Sequence, residues 1–178
     1  LFTLNRASPQ ARGLIGWWSA LTRPGASWID LSAGGTELSL ANTSFSIDKY
    51  GPNLLYSSDS DYVAVRSSST SEVPGWNSEL GSIAIWAGLP GALSRTYYLF
   101  SSRESGPTRC YMMLSSSGGY GITIGDAFET SLGITAELNE VSLFVLSWNH
   151  GAYTACVNYE CSEGSYSNFS TQPNNMTI

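Results

Sequence analysis

Short apolar or alternating runs recur along the chain at Leu14–Trp18, Trp28–Leu31, Leu38–Leu40, Tyr62–Val65, Ile83–Trp86, Tyr97–Phe100, Cys110–Leu114, Tyr120–Ile124, Leu143–Trp148 and Tyr153–Val157. Each is too short for a typical helix, and Gly, Pro, Asn or Ser punctuates the intervals. The pattern predicts antiparallel strands of a two-sheet sandwich. In YVAV and IAIW alternate side chains fall on opposite faces, so one face can pack against a partner sheet. Trp17, Trp18, Trp28, Trp86 and Trp148 lie in or beside these runs and are expected in the core, where an indole can bury on the order of 200 Å². Trp76, in the turn-rich EVPGWNSE, is expected to be exposed unless it folds over a sheet edge. The one stretch with helical spacing, Thr135–Val141, is barely two turns long and reads as a loop or a short turn. No internal repeat is visible.

Composition narrows the picture. The 178 residues suffice for one core without a metal or disulfide scaffold. Charged residues make up only 12%, while Ser, Thr and Gly fill roughly a third of the chain, so hydroxyls rather than ions face solvent. The net charge of -6 argues against nucleic acid as a partner. No apolar run reaches the roughly 18 to 20 residues of a membrane helix, so membrane insertion is not expected.

Three blocks carry a family resemblance. They are GLIGWW at Gly13–Trp18 followed by IDLSAGG at Ile29–Gly35, SDSDYVAV at Ser58–Val65 followed by GSIAIWAGLP at Gly81–Pro90, and FVLSWNHGAYTACVNYE at Phe144–Glu160. In this order they resemble the laminin-G-like branch of the concanavalin A-like lectin and glucanase superfamily. The resemblance implies an all-β, two-sheet antiparallel jelly-roll sandwich over residues 13–178, with 1–12 an extended arm. It also implies a final strand, pairing near Leu14–Trp18, that the chain stops short of. That edge is expected to be filled by an arm, an extension or a neighbouring chain, because unpaired buried backbone groups cost about 1 to 3 kcal/mol each.

Glucanases of this fold need carboxylates on alternate positions of one strand, and no such segment is present. Asp59 and Asp61 precede Tyr62 at a turn, and Glu137 and Glu140 lie in a loop. His150 in WNHG reads as a solvated turn histidine rather than a general base. No catalytic residue is expected, and the chain is expected not to be an enzyme. Zinc does not fit one His and three scattered Cys. Calcium could draw on Asp59, Asp61 and Asp126 with backbone carbonyls, although turn Asp residues more often bond their own backbone.

The cysteines are more specific. If Asn158 and Tyr159 form a two-residue hairpin loop, Val157 pairs with Glu160 and Cys156 faces Cys161 across a non-hydrogen-bonded pair, within disulfide range. A bridge follows in an oxidising compartment. The alternative makes all three small core residues, and Cys110 is expected buried and free in either case. The leading functional expectation is a recognition module, extracellular or on a virion surface, binding glycan or protein through sandwich loops. Trp76, Asn77, Tyr120, Asp126, Asn149 and His150 are the candidate contacts, since aromatic rings stack on sugar C–H faces while amides take hydrogen bonds. The alternative is a structural assembly protein of a virion or cell surface, acting as a homo-oligomer or larger assembly.

Overall fold

Alternation and turn chemistry produce the strands in the chain, whose structure is a computed structural model. It describes residues 14, 16, 19, 27–28, 31–32, 38–41, 43–49, 51–55, 62–66, 76–88, 95–102, 109–129, 131–137, 139–169 and 175–177. Among these there is no helix, and the strands are β1 (Ser27–Trp28), β2 (Leu38–Ala41), β3 (Ser44–Asp48), β4 (Gly51–Leu55), β5 (Tyr62–Arg66), β6 (Leu80–Gly88), β7 (Tyr97–Ser101), β8 (Cys110–Leu114), β9 (Tyr120–Ile124), β10 (Ala127–Glu129), β11 (Val141–Asn149), β12 (Ala152–Val157), β13 (Glu160–Ser165) and β14 (Asn175–Thr177). The fold is an all-β antiparallel sandwich. β8 and β9 coincide with their predicted runs. The described residues of Thr135–Val141 are non-helical: Thr135 makes an isolated bridge to Gly119, and a turn lies at Asn139.

The chain divides into two compact units, one of residues 1–76 with 175–177, the other of residues 77–174 with 178. In the first, β1 pairs with β2, β2 with β5, and β5 with β14, all antiparallel. β3 and β4 form a hairpin closed by Gly51 at φ 105°. The strand β14 was not anticipated from the sequence. Of the expected first strand only Leu14 and Gly16 are described, neither in a strand. The arm 1–12 and the Asp59–Asp61 turn lie outside the described residues.

In the second unit, β6, β11, β12 and β13 form one sheet in the order β13-β12-β11-β6, and β7 to β10 form another by successive antiparallel pairing. Period-two alternation sets the inner face of the first sheet. Ser142, Phe144, Leu146 and Trp148 of β11 are buried, as are Tyr153, Ala155 and Val157 of β12. The second sheet presents Tyr120, Ile122 and Ile124 of β9 with Leu114, Met112 and Cys110 opposite them on β8, while Gly121, Thr123 and Met113 are buried on its other face. The two inner faces meet where the Tyr120 ring packs edge-on against Phe144, with centroids 5.6 Å apart, and the Tyr120 hydroxyl donates to the Val145 carbonyl at 3.3 Å. Burial pushes the Tyr120 phenol and the Cys110 thiol well above their ordinary pKa values.

Two glycines let the aromatics lie flat on their neighbours. Trp148 pairs across the ladder with Gly81, and Tyr153 with Gly164. A Cβ at either glycine would fall inside the ring opposite it.

Two tryptophan assignments are reversed. Trp86, expected in the core, is 69% exposed, and Trp76, expected on the surface, is only 5% exposed. In β6 the inner positions are Gly81, Ile83, Ile85 and Ala87, because they face Trp148, Leu146, Phe144 and Ser142 in register. Parity then places Trp86 on the outer face with Leu80, Ser82, Ala84 and Gly88. Trp76, just before β6 in the chain, is buried, and its large apolar surface is thereby taken from water.

Candidate functional site

The predicted hairpin register is observed. Cys156 stands opposite Cys161 and Val157 opposite Glu160, and the two cysteines form a disulfide across a Cα–Cα distance of 4.1 Å. Asn158, at φ 54°, starts the turn. Its side-chain oxygen accepts from the Leu143 amide at 2.9 Å, tying the turn to β11. Cys110 is a buried free thiol.

At the opposite end of the same sheet, several chain segments converge on a polar rim. The pair Asn149↔Ala152 leaves His150 and Gly151 as a two-residue loop. Their φ values of 44° and 90° are the left-handed conformation that the right-handed twist of a hairpin requires. The His150 amide donates to the Glu79 carbonyl at 2.7 Å, and the His150 Nδ1 lies 3.9 Å from Glu79 Oε2 with both side chains exposed. Asn77 ends the approach to β6: its side-chain oxygen accepts from the Glu79 and Leu80 amides at 2.8 and 3.2 Å. Its carbonyl takes the Trp148 indole N–H at 2.9 Å.

The segment Tyr166–Phe169 straps the rim together. The Tyr166 amide donates to the Gly151 carbonyl at 2.8 Å, and its hydroxyl to the Ser78 carbonyl at 3.3 Å. Asp126, in the turn between β9 and β10, holds the other side. Its carboxylate accepts from the Ser167 amide at 2.6 Å, from the Ser167 hydroxyl, and from the Asn168 side-chain amide at 3.3 Å. Those bonds, the Ser167 hydroxyl first, hold its pKa below the ordinary carboxylate value. Gly125 must be glycine here, because it sits at φ 56° and a Cβ would strike the Ser167 carbonyl. At the end of the strap, Phe169 packs edge-on against Trp148 at 5.9 Å and Tyr166 at 5.8 Å.

Of the six candidate contacts, the structure brings Asn77, Asp126, Asn149 and His150 together as exposed residues at this end. It takes two out of the ligand-facing set. Tyr120 is fully buried between the sheets and Trp76 is buried before β6, since in each case apolar ring area outweighs the polar handle. Glu79 joins the rim and was missed, because an isolated Glu between Ser and Leu carries no motif. Asp126 serves as a clamp: three donors already occupy most of its lone-pair sites, so the calcium expectation rests on Asp59 and Asp61, outside the described residues. Among the described residues no three His, Cys, Asp or Glu side chains group as a metal site, and no helix is long and apolar enough to cross a membrane.

No protein-family model and no curated protein matches the chain. Solved structures do match. The chain is similar to Trypanosoma rangeli sialidase in complex with the inhibitor DANA, at TM-score 0.67 and 13% identity, over 92% of this chain and 27% of that one. A mutant of the same sialidase displaying trans-sialidase activity matches at TM-score 0.64 and 13% identity, over 95% and 30%. Domain 4 of AbnA, a GH43 extracellular arabinanase from Geobacillus stearothermophilus, in complex with arabinotriose, matches at TM-score 0.60 and 11% identity, over 84% and 76%. The chain thus spans less than a third of the sialidase chains. At these identities the likeness is one of fold. It does not single out the laminin-G-like branch, and it corrects one expectation. The lack of a paired-carboxylate strand implies that the chain is not an enzyme; the sialidases that share its fold overturn that expectation, because this architecture occurs within glycosidase chains.

Proposed function

We propose that this chain is a carbohydrate-contacting β-sandwich domain of a secreted or surface-exposed glycan-processing protein, with the polar rim at Asn77, Asn149 and His150 as its sugar contact. The observation that carries the proposal is the convergence of exposed amide and imidazole side chains on backbone that is hydrogen-bonded in place. Sugar hydroxyls demand fixed donors and acceptors, because each hydrogen bond nets only about 0.5 to 1.5 kcal/mol and mobile partners lose that to ordering. The matched arabinanase domain, complexed with arabinotriose, and the sialidase chains support a glycan as the ligand class. The Cys156–Cys161 disulfide supports an oxidising, extracytoplasmic location. A laminin-G-like affiliation is compatible with the sandwich and with this role.

The test is calorimetric titration with arabinotriose and neutral hexose oligosaccharides. Asn149→Ala and His150→Gly, the latter chosen to keep the left-handed turn, should each weaken binding by roughly 2- to 10-fold. Binding indifferent to both substitutions would remove the rim from the reading, and no binding to any glycan would remove the reading itself.

A further inference from the structure

The outer face of the β13-β12-β11-β6 sheet carries a feature that the rim does not use. Trp86 stands on it at 69% exposure, in the regular part of a nine-residue strand rather than in a loop. Its neighbours two positions away on β6 are Ala84 and Gly88, too short to cover an indole, and Leu143 lies directly opposite it on β11. A position that alternation exposes is ordinarily filled by a polar side chain. Here an aromatic surface is held open by small residues on one strand and supported by aliphatic ones on the next.

A second exposed aromatic lies at the hairpin tip where that row ends. Leu143 is bonded to Asn158, and the next residue, Tyr159, is 100% exposed at the hairpin tip. Asn158 is two strand spacings from Trp86, or about 10 Å.

The geometry points to a second carbohydrate site on this sheet face, in which Trp86 stacks on the C–H face of a sugar ring and an uncharged oligosaccharide runs across the strands toward Tyr159. This rests on the reading of the domain as carbohydrate-contacting. Charge sets the ligand class: along β6, β11, β12 and β13 the outward positions among the described residues hold one ionic side chain, Glu163, and no cation to pair a sialyl carboxylate or a sulfate. Size argues against a second copy of the chain as the occupant. The whole face measures on the order of 500 Å² by strand length and spacing, below the roughly 800 Å² per partner of a stable protein interface, and much of it is Ser, Thr, Ala and Gly. An indole and a phenol separated by small and hydroxyl residues match alternating apolar faces and hydroxyl edges of a glycan chain.

The experiment is affinity electrophoresis of the full chain through gels containing linear arabinan or a soluble mixed-linkage glucan, in a background where Asn149→Ala and His150→Gly disable the rim. Residual retardation is expected. It should fall at least fivefold with Trp86→Ala, fall less with Tyr159→Ala, and be largely retained with Trp86→Phe, which keeps a stacking face. Both positions are exposed, and equal thermal midpoints establish that the variants fold. The proposal is overturned if the rim-disabled protein shows no retardation, if Trp86→Ala leaves the retardation unchanged, or if sedimentation shows self-association that Trp86→Ala abolishes. The two readings separate cleanly: retardation lost only with Trp86→Ala condemns the rim, retardation lost only with the rim variants condemns this face, and a wild-type chain that neither polysaccharide retards condemns both.

Discussion

At the scale of single residues, the strongest constraints sit where a ring needs a missing side chain. Trp148 lies over Gly81, and a methyl group there would enter the indole. Because Trp148 is also pinned by its hydrogen bond to Asn77, the ring cannot swing away without losing that bond and its contact with Phe169. Gly81→Ala should therefore destabilise the chain by about 1 to 3 kcal/mol, read as a lowered urea midpoint with an unchanged slope. Gly88→Ala, whose Cβ would approach Val141 at 3.3 Å, should cost less. Asp126 makes a prediction of a different kind. Its pKa is depressed by Ser167 and Asn168, so the folded chain binds fewer protons than the unfolded chain at acidic pH. The strap's contribution is complete above the ordinary carboxylate pKa of about 4 and is lost as the pH falls through the depressed value. The Ser167 amide resonance should titrate with a midpoint below about pH 4, and Asp126→Asn should abolish that titration. A midpoint at the ordinary value would mean that the clamp does not form in solution.

Among elements, the β12–β13 hairpin is where sequence and structure agree most closely, and the reason is physical. A two-residue loop fixes register, register fixes which side chains face one another, and Cys156 and Cys161 then have no other partner position. The same alternation was misleading in β6, where IAIW offers two apolar faces. Ile83 and Ile85 on one side and Ala84 and Trp86 on the other are equally plausible inward sets, and only the register against Phe144, Leu146 and Trp148 chooses between them. Pairing partners distant in sequence were illegible for the same reason, as with β14 against β5. The rim was partly legible because Asn-His-Gly is hairpin-turn chemistry, whereas Glu79 and the Tyr166–Phe169 strap are brought in by packing alone. For the hairpin itself, the disulfide closes a loop with a sequence separation of only 5, so the chain-entropy argument allows about 2 kcal/mol at most. The ladder from Ala152↔Ser165 to Val157↔Glu160 carries the rest. The double substitution Cys156→Ser with Cys161→Ser should lower stability by no more than that, as a shift in urea midpoint, and leave the far-ultraviolet spectrum of an all-β protein intact. A loss of folded structure would mean that the ladder depends on the covalent link.

For the whole molecule, charge decides more than shape. The net charge of -6, on a chain with only 12% charged residues, repels polyanions on average and leaves neutral ligands untouched. On the proposed reading of a carbohydrate-contacting domain, neutral glycans should therefore bind with an affinity that barely changes with salt. Sialylated or sulfated glycans face long-range repulsion, screened as the Debye length shortens from about 30 Å at 0.01 M to about 8 Å at 0.15 M salt. The prediction has a sign: between those salt concentrations, affinity for a neutral oligosaccharide stays constant within about twofold, while any binding of an anionic glycan strengthens as salt rises. Calorimetry at both concentrations with a matched neutral and sialylated pair checks it. An anionic glycan that binds tightly at low salt and is released at high salt would show a local cationic site strong enough to reverse the field of the whole chain. Arg109 would be the first residue to substitute in that event, since its carbonyl accepts from the Gly125 amide beside the Asp126 turn, at the end of the sheet where the rim lies.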